Sequence, residues 1–583
     1  MSSNRKAEKP MSKNKDYKAL LKSMAREWKW LLKYIVKYRL AIVVYVVLGV
    51  VATLMSLGVS VASKYLVDAV VAHSSDTILR SAVLAVGLVL FQYLFQAMSS
   101  WITAVVSSKA NNDIRHEVYS RILCAEWSEI SAFHSGDLIN RIEGDAATVS
   151  SGVISFIPAV FTRSVQFLGS LVIVLYYDKT MALIALMGAP FLFLSSRFLV
   201  KTIRKYNKKS RELNGEILSY SEESMQNIQI IKAFDLTKQY IERFKFILEN
   251  YRKMRLEYEK FSICMTIVLS LIGVVVSYSC YGWGIYRLWQ GAITYGTMTL
   301  FIQISSVLTS SFSSLASLAP TAVAIATAAG RIMEVTEFDV ENDSDREQAE
   351  KVLEASGNNG LKLVMKDVAF KYGEKENEVL KSISLSVLSG ETVALIGPSG
   401  EGKTTVLKLL LGLIMPTSGE IYLEAGNGER VKVSDSTRRF FSYVPQSVNI
   451  FSGTIAENLR MVKPDAAEAE LFSALECADL AAFVRSLPEG LNTQIGERGT
   501  KLSQGQLQRL AIARALLRES KIMLLDEVTS SLDMDTEARV LENIMKTSPD
   551  RICIVTTHRE SMLKYCNRVY KIAADGELSA IKE

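Results

Sequence analysis

The chain has 583 residues, with 67 Lys and Arg against 61 Asp and Glu, so its formal net charge is +6. Apolar residues make up 49% of it, which excludes intrinsic disorder, and 10 prolines and 6 cysteines exclude collagen-like and disulfide-scaffold proteins. The mean hydropathy of +0.17 is high for a soluble protein and low for one embedded entirely in a membrane. A mean hydropathy between these two classes indicates that the chain combines an apolar, membrane-embedded half with a polar, soluble half.

The first predicted element is a basic arm, residues 1–38. Lys29, Lys33 and Lys37 recur every four residues among aromatic and aliphatic side chains, a spacing typical of a helix that lies at a membrane interface. A plain cytoplasmic extension of the next helix is the alternative. The arm has no long apolar core followed by a cleavage site, so we do not expect a secretory signal peptide.

Residues 39–330 are predicted to form a transmembrane domain of six helices, because six apolar stretches approach or exceed the roughly 20 residues that a membrane-spanning helix needs. The stretches are residues 40–63, 81–108, 153–177, 180–196, 261–286 and 297–330. The two long connections, 109–151 and 201–260, are basic, whereas the short ones are not. Positive-inside bias therefore predicts a multi-pass protein of a cell membrane, of the bacterial inner or plasma-membrane kind, with both termini in the cytoplasm.

The composition changes after residue 330. Residues 331–360 are acidic and turn-rich, and we predict that they form a linker. From residue 361 to 583, short β-like runs alternate with helical patterns, which is typical of an α/β sheet. The apolar run at 393–396 precedes a glycine-rich loop and a helical stretch, the order expected for a phosphate-binding loop. The loop and the start of its helix are Gly397, Pro398, Ser399, Gly400, Glu401, Gly402, Lys403, Thr404 and Thr405.

The chemistry of phosphate binding requires these residue types. Glycines let consecutive backbone N–H groups face phosphate oxygens, and the helix N-terminus adds partial positive charge. We expect Lys403 to reach the outer phosphates of ATP and the Thr404 hydroxyl to bind Mg²⁺. The predicted fold class is therefore a multidomain chain, in which an all-α six-helix transmembrane domain precedes an α/β P-loop ATPase.

Two further segments point to ATP hydrolysis. Asp526 and Glu527 directly follow an apolar strand, where the first acid can hold Mg²⁺ and the second can orient or deprotonate the attacking water. The polar turn at 503–506 feeds a helix and so predicts a second anion-binding helix N-terminus. One ATP held within one chain does not need two such sites, so the second is expected to serve the nucleotide of another copy.

The turn at 502–506 reads Leu-Ser-Gln-Gly-Gln, which resembles the signature motif of ATP-binding cassette (ABC) proteins, with Gln504 where the family usually has glycine. Further motifs follow the family order, with Phe-Lys-Tyr-Gly at 370–373, Tyr-Val-Pro-Gln at 443–446, Gly-Glu-Arg-Gly at 496–499, Ser-Leu-Asp at 531–533 and Val-Thr-Thr-His at 555–558. The resemblance implies that Tyr372 stacks on adenine, Gln446 senses Mg²⁺ and water, and His558 contacts the γ-phosphate. It places Asp533 in the D-loop, and Ser503, Gly505 and Gln506 against the ATP of a partner chain.

The transmembrane half resembles the same family in two places. Residues 133–139, with Asp145, are similar to the return from the first intracellular loop of exporter-type transporters, and residues 222–235 are similar to their second coupling segment. One such domain and one cassette imply a half-transporter that works as a homodimer or heterodimer in the lipid bilayer. Its expected cargo is a lipid-like, drug-like, small amphipathic or peptide molecule. An importer on the same fold, and an ATP-gated channel or regulatory subunit, are the alternatives. We attribute the net charge to positive-inside bias rather than to nucleic-acid binding.

Two features of the transmembrane domain bear on the cargo. Its last stretch is rich in small polar residues, namely Ser305, Ser306, Thr309, Ser310, Ser311, Ser313, Ser314 and Ser317. They either pack helices together or line a weakly polar cavity. Arg163 is the one charge well inside a predicted span, where it either meets an anionic or amphipathic cargo group or snorkels from the cytoplasmic end of its helix.

Overall fold

The computed structural model describes residues 13–186, 188–341, 345–372, 378–398, 400–447, 450–496, 502–528, 532–547, 549–573 and 576–582. The side chains of residues 13–23 and of most positions from 185 to 211 lie outside this description. The chain forms two compact units. The first comprises Met1–Leu123 and His134–Phe338, and the second comprises Cys124–Phe133 and Asp339–Glu583.

The first unit is helical. Its helices are α1 (Lys13–Lys37), α2 (Arg39–Val71), α3 (Ser75–Cys124), α5 (Ser135–Asn140), α6 (Ala146–Tyr177), α7 (Lys179–Leu186), α8 (Gly188–Gln226), α9 (Ile228–Ala233), α10 (Thr237–Trp289) and α11 (Tyr295–Thr336), and α4 (Trp127–Ile130) belongs to the second unit. A π-helical turn, Arg141–Asp145, joins α5 to α6. Tertiary packing rather than helix propensity holds such long apolar helices in place.

Five helical segments in the described residues are long and apolar enough to cross a membrane. They are Arg39–Val71, Ser75–Cys124, Ser135–Tyr177, Thr237–Trp289 and Tyr295–Thr336. These segments coincide with five of the six predicted stretches. The remaining stretch, 180–196, lies largely outside the described side chains.

Helix α1 is separate from α2, because the helical path breaks at Tyr38, where φ is −106° and ψ is 14°. Two of the lysines in the predicted interfacial pattern pair with acids on α3. Lys33 lies 2.8 Å from Glu117, and Lys37 lies 2.5 Å from Asp113. The arm is thus a helix tied to the transmembrane unit, while its position at a membrane surface stays a prediction.

Helix α11 runs to Thr336 and so continues past the predicted end of the last span. The polar residues that read as the start of a linker instead make ion pairs within the first unit. Arg331 binds Asp145 through two hydrogen bonds, and Glu334 lies 2.7 Å from the buried Arg141. Tertiary partners therefore extend the helix through a segment whose composition alone indicates a turn.

The second unit is an α/β fold. Its later helices are α12 (Arg346–Asn359), α13 (Lys403–Leu410), α14 (Ile455–Arg460), α15 (Glu468–Cys477), α16 (Ala481–Ser486), α17 (Gln504–Leu517), α18 (Met534–Thr547) and α19 (Glu560–Leu563). Its strands are β1 (Leu361–Phe370), β2 (Leu380–Leu388), β3 (Thr392–Ile396), β4 (Ser418–Ala425), β5 (Arg430–Lys432), β6 (Phe441–Val444), β7 (Gly453–Thr454), β8 (Gln494–Ile495), β9 (Ile522–Asp526), β10 (Ile552–Thr556), β11 (Arg568–Ile572) and β12 (Leu578–Lys582). Most of the predicted linker after residue 345 is therefore helix α12.

The main sheet has the strand order β12-β11-β3-β10-β9-β6 and is parallel except for β12. Strands β3, β10, β9 and β6 are neighbours, so their carboxyl ends meet at one edge. Ligands bind at this edge in open α/β sheets. The phosphate loop, the Val-Thr-Thr-His motif, the Asp526-Glu527 pair and the loop with Gln446 each follow one of these four strands.

A second sheet, β2-β1-β4-β5, is antiparallel and shares its core with helix α13. Leu407 and Leu410 of α13 are fully buried in one cluster with Leu363 of β1 and Leu395 of β3. Burying such leucines contributes roughly 1.5–3 kcal/mol each. This packing fixes the N-terminus of α13, and with it the phosphate loop.

Strand β1 bulges at Asp367 and approaches β4 closely at Gly419. A Cβ at Gly419 (φ +84°) would lie 2.3 Å from the backbone oxygen of Asp367, whereas a Cβ at Gly428 (φ +88°) would meet nothing within 4 Å. We expect Gly428→Ala to cost about 1 kcal/mol of left-handed strain, and Gly419→Ala about 2 kcal/mol more through overlap. Calorimetric unfolding of the full-length pair measures this difference, and equal costs would contradict the close approach.

Candidate active site

The phosphate loop runs from β3 to α13 and uses glycines where the backbone is left-handed. Gly400 and Gly402 have φ values of +94° and +96°, which residues with a Cβ rarely adopt. The Lys403 ammonium donates to the Gly397 and Pro398 carbonyls at 2.6 and 2.9 Å. Burial lowers the pKa of Lys403, while the Glu527 carboxylate opposes that shift. The predicted Ser399 lies outside the described residues.

Three predicted residues, each following a different strand, come together with Lys403 of this loop. His558 Nε2 lies 3.0 Å from Lys403 Nζ and 3.0 Å from Glu527 Oε1. The Gln446 amide donates to Glu527 Oε2 at 2.6 Å. Glu527 Oε1 is 3.9 Å from Lys403 Nζ. A carboxylate thus lies among an ammonium, an imidazole and an amide, an arrangement that can hold and orient a water molecule.

Asp526 is only 2% exposed, and three hydroxyls surround its carboxylate. Thr404 Oγ1, Thr556 Oγ1 and Tyr443 OH donate to it at 3.1, 2.7 and 3.4 Å. Burial and this carboxylate together raise the pKa of Tyr443 far above its ordinary value, so the phenol stays a donor. Hydroxyls satisfy hydrogen bonds but leave the negative charge unbalanced. A hard divalent cation fits this set of oxygen donors.

Glu527 has a left-handed backbone, with φ of +50°. Its N–H donates to Thr556 Oγ1 at 3.0 Å, which ties it to the neighbouring strand β10. Backbone conformations of this kind cost about 1–3 kcal/mol and persist where surrounding contacts impose them, often at functional sites. Here the turn of the chain directs the carboxylate toward His558 and Gln446 rather than along the strand.

Tyr372 and Glu401 are two further residues that the sequence predicts at this site. Tyr372 is 53% exposed, its hydroxyl lies 3.0 Å from Thr405 Oγ1, and its ring contacts Phe370 edge-on. An exposed face is what stacking on a purine base requires. Glu401 has a buried carboxylate oxygen with no hydrogen-bond partner among the described residues. The same carboxylate lies close to Gly397, because a Cβ at Gly397 would be 3.2 Å from Glu401 Oε2.

The polar turn before α17 caps that helix. Ser503 Oγ accepts from the Gln506 N–H at 3.3 Å, and the Ser503 N–H donates to Gln506 Oε1 at 2.8 Å. The unusual Gln504 is exposed at the first helical position and does not enter this capping box. Hydrogen bonds described for Ser503 stay within its own turn. The predicted glycine Gly505 lies inside the first turn of α17.

Asp533, the predicted D-loop acid, caps α18 by accepting from the Thr536 N–H at 2.9 Å. This backbone hydrogen bond lowers the pKa of Asp533. Arg559, next to His558, donates to the Leu532 carbonyl at 3.0 Å. The two loops are therefore joined, a contact that the motifs do not indicate. Ser531 and the Gly-Glu-Arg-Gly segment after Gly496 lie outside the described residues.

Comparison with known proteins accounts for both halves of the chain. The family described as ABC transporter transmembrane region matches residues 42–312, and the family described as ABC transporter matches residues 380–530. A protein of Rickettsia prowazekii, provisionally named an export ATP-binding/permease protein, is 30% identical over 478 residues, or 81% of each chain. The chain is an ABC transporter.

Other relatives agree with this family over more of the chain. A Staphylococcus aureus protein, provisionally named a multidrug export ATP-binding/permease protein, is 25% identical over 555 residues, covering 93% of this chain and 94% of its own. The fold is similar to that of a bacterial Atm1-family ABC exporter with ATP bound, with a TM-score of 0.79, 23% identity and 94% coverage of both chains.

Membership of the ABC family confirms the predicted fold class and the ATPase. This ABC transporter binds ATP and couples its hydrolysis to transport. The family match to the cassette ends at residue 530, so it does not include Asp533 or His558. For His558 the geometry at the strand ends is independent support. Sequence reasoning missed Tyr443 and Thr556, although both lie inside the quoted motifs.

The contribution of Thr556 to the stability of this site can be tested by substitution. Thr556→Val keeps the shape of the side chain but removes one donor to the buried Asp526 and one acceptor for the Glu527 N–H. We expect the cassette to lose about 1–3 kcal/mol of unfolding free energy, because a hydrogen bond to the buried Asp526 carboxylate is lost. The Glu527 N–H keeps the Thr556 backbone carbonyl as an acceptor at 3.2 Å. Thr547→Val, at the exposed end of α18, is the control and should change stability by less than about 0.5 kcal/mol. Equal calorimetric stability of the two variants would contradict the role of Thr556.

Proposed function

We propose that this ABC transporter is an exporter of lipid-like, drug-like, small amphipathic or peptide molecules, and that two half-transporters form the working unit. The observation that carries the proposal is the meeting of Lys403, Gln446, Asp526, Glu527 and His558 at adjacent strand ends, in a chain with five described membrane-crossing segments. Each side chain has a distinct part in hydrolysing ATP. The transmembrane helices would carry the cargo path through a cell membrane, with both termini cytoplasmic.

Each residue at the strand ends has a role that its contacts support. Lys403 and the loop N–H groups bind the outer phosphates, and the exposed ring of Tyr372 stacks on adenine. Thr404, Asp526 and the Gln446 amide oxygen would hold Mg²⁺, which supplies positive charge against the phosphates. Glu527 accepts a proton from the attacking water, and His558 orients that carboxylate and contacts the γ-phosphate.

The same contacts weigh against a subunit that binds ATP without hydrolysing it. A gated channel or regulatory subunit would tolerate loss of the carboxylate or the imidazole. Here both are present and lie 3.0 Å apart, and the Gln446 amide holds the carboxylate from its other side. This geometry favours turnover.

A dimer follows from the turn before α17. Ser503 and Gln506 cap their own helix, and we infer that the exposed first turn of α17 faces the ATP bound by another chain. Two chains would then enclose two ATP molecules, each between one phosphate loop and the partner's Ser503 turn. A homodimer and a heterodimer both fit. Closing and opening this sandwich would switch the exposure of a cavity between the transmembrane helices.

The proposed direction of transport is supported by the names of the relatives. The Rickettsia and Staphylococcus proteins are both named for export. An importer on the same fold remains the alternative. Inside-out vesicles distinguish the two directions, because the cassettes then face the added ATP. An exporter accumulates cargo from a broad panel inside these vesicles, whereas an importer empties preloaded ones. ATP-driven emptying without accumulation would overturn the export proposal.

The proposed dimer is tested separately, by measuring the molecular mass of the reconstituted protein.

A further inference from the structure

The chain passes between its two compact units three times, at residues 123–124, 133–134 and 338–339. Helix α3 ends at Cys124, the first residue of the excursion into the second unit. The chain that follows α11 enters the second unit at Asp339. These crossing points are where the chain itself can pass a displacement from one unit to the other.

Two of these crossings are paired with each other inside the second unit. Ala125 and Val340 face each other in an isolated antiparallel bridge, and Ala125 is only 2% exposed. Two backbone hydrogen bonds close the bridge, from the Glu126 N–H to the Asp339 carbonyl at 3.0 Å and from the Glu341 N–H to the Cys124 carbonyl at 2.9 Å. The pairing therefore starts at the first residue of each segment in this unit. We call residues 124–126 and 339–341 the crossing pair.

Arg438 joins the crossing pair to the end of helix α13. Its guanidinium donates to Glu341 Oε1 at 2.7 Å, and the two side chains are 28% and 25% exposed, so water screens this ion pair less than one on the surface. The same guanidinium donates to the carbonyls of Leu411 and Gly412, at 3.2 and 2.9 Å, just after the last turn of α13. One planar group thus fixes a carboxylate of the crossing pair relative to a helix end, which the flexible stem of a lysine does not provide.

Backbone packing at the end of α13 supports the same connection. Gly412 has a left-handed backbone, with φ of +61°, and a Cβ there would lie 2.9 Å from the carbonyl carbon of Ser434. Ser434 is the N-cap of a 3₁₀ helix, Asp435–Phe440, that carries Arg438. The 3₁₀ helix is therefore held against the end of α13 both by its backbone and by the guanidinium, so the two elements should move together.

The opposite end of α13 is the ATP-binding end. The helix begins at Lys403, and its 8 residues span roughly 12 Å at 1.5 Å per residue. Strand β6 starts directly after the 3₁₀ helix and leads to Gln446. The Arg518 side chain, at the end of α17, donates to the Arg438 carbonyl at 3.3 Å. Arg438 therefore contacts the far ends of the two helices whose first turns are assigned to ATP.

We propose that Arg438 is a positioning residue of the transport cycle. Through Glu341 it links the phosphate-loop helix α13 to the crossing pair, so that ATP binding at Lys403 displaces the ends of α3 and α11. The crossing pair is a rigid connector in this link, because two backbone hydrogen bonds and the buried Ala125 hold it together. This inference rests on the proposed function and names the residues through which ATP acts on the membrane helices.

A purely structural role for Arg438 is the competing explanation, since a cation at a helix C-terminus is stabilising by itself. Glu341→Ala separates the two roles. It removes the carboxylate of the link but leaves Arg438 on the carbonyls of Leu411 and Gly412. Glu350→Ala is the matched control, because Glu350 pairs with the adjacent Arg439, also at 2.7 Å, but belongs to α12 and not to the crossing pair.

The test uses the full-length protein in nanodiscs, in the Glu527→Gln background, which is expected to bind ATP without hydrolysing it. Amide hydrogen exchange of the loop 290–294 is measured with and without Mg-ATP, because this loop precedes α11 and so lies at the opposite end of that helix from the crossing pair. We expect ATP to change the exchange rate of the loop at least about fivefold in the background protein. Glu341→Ala should reduce this change to less than about twofold while ATP still binds within about twofold of the background affinity.

Glu350→Ala should keep the full response of the loop to ATP. Arg438→Lys should lose most of it, although a cation stays at the end of α13, because the planar fork is lost. A response in Glu341→Ala equal to that in Glu350→Ala would overturn the link, and so would a full response in Arg438→Lys. A background protein that binds ATP but shows no response would overturn the transport cycle itself, and the link with it.

A disulfide across the crossing pair tests its rigidity. Ala125→Cys with Val340→Cys, made together with Cys124→Ser, joins two residues that face each other between the backbone hydrogen bonds. The Cα atoms of such a non-hydrogen-bonded pair lie about 4.5 Å apart, within the range that a disulfide spans. The oxidised protein should respond to ATP as fully as the reduced one. A response that disappears on oxidation and returns on reduction would show that the pair has to open, which would overturn the rigid connector.

Discussion

Glu527→Gln should lower the ATP hydrolysis rate of the reconstituted protein by about 10²- to 10⁴-fold, because the variant loses the group that accepts a proton from the attacking water. An amide fills the same space and keeps a hydrogen-bonding partner for Gln446, so the site should still bind ATP. Phosphate release measures the first effect, and equilibrium binding of a fluorescent ATP analogue measures the second.

Glu519→Gln is a closely matched control. Glu519 also has a left-handed backbone, with φ of +54°, but its side chain is 70% exposed and pairs with Lys463 outside the site. The control should hydrolyse ATP at the wild-type rate. A loss of similar size in both variants would mean that the backbone rather than the carboxylate matters. A Glu527→Gln rate near the wild-type rate would remove Glu527 from its catalytic role.

Lys403→Ala should weaken ATP binding by about 10- to 100-fold, because hydrogen bonds to charged groups contribute roughly 1.5–3 kcal/mol each. Hydrolysis should fall with binding, in contrast to Glu527→Gln, which separates the two. The pKa of Lys403 is lowered by burial, so this ammonium is partly desolvated and its bonds to phosphate are strong for a lysine. Titration with the same fluorescent analogue gives the affinity.

Lys408→Ala controls for the loss of a lysine from the same helix. Lys408 lies in the last turn of α13, away from the phosphate loop, and is only half-buried. Its replacement by alanine should leave the affinity for ATP within about twofold of the wild type. Equal affinities of the Lys403 and Lys408 variants would contradict the placement of the phosphates at the N-terminus of α13.

The sequence predicted which side chains come together at the strand ends because these residues follow strands in a fixed order. Apolar runs before Gly397, Asp526 and His558 indicate buried strands, and the carboxyl ends of parallel strands meet at one sheet edge. Gln446 was predicted by family resemblance. The structure brings the side chains that follow these strands within hydrogen-bonding distance. The motifs do not predict the left-handed backbone of Glu527, because contacts with the neighbouring strand impose that conformation.

The transmembrane half shows where composition stops being informative. Arg331 and Glu334 indicate the end of a span when read along the chain, yet both lie in α11 and pair with residues more than 150 positions away. The serines of α11 likewise divide, because Ser305 and Ser311 are buried whereas Ser306 and Ser310 are exposed. Tertiary neighbours decide both outcomes, and a single sequence does not show them.

The central claim is that ATP hydrolysis at these strand ends drives cargo movement. It is tested most directly by recording phosphate release and uptake of a cargo identified with the vesicle panel together in one inside-out vesicle preparation. The account predicts that both proceed with ATP in the wild type and in Glu519→Gln, and that both stop in Glu527→Gln while ATP still binds. Uptake that continues at the wild-type rate in Glu527→Gln would contradict it, because movement of cargo would then not depend on hydrolysis.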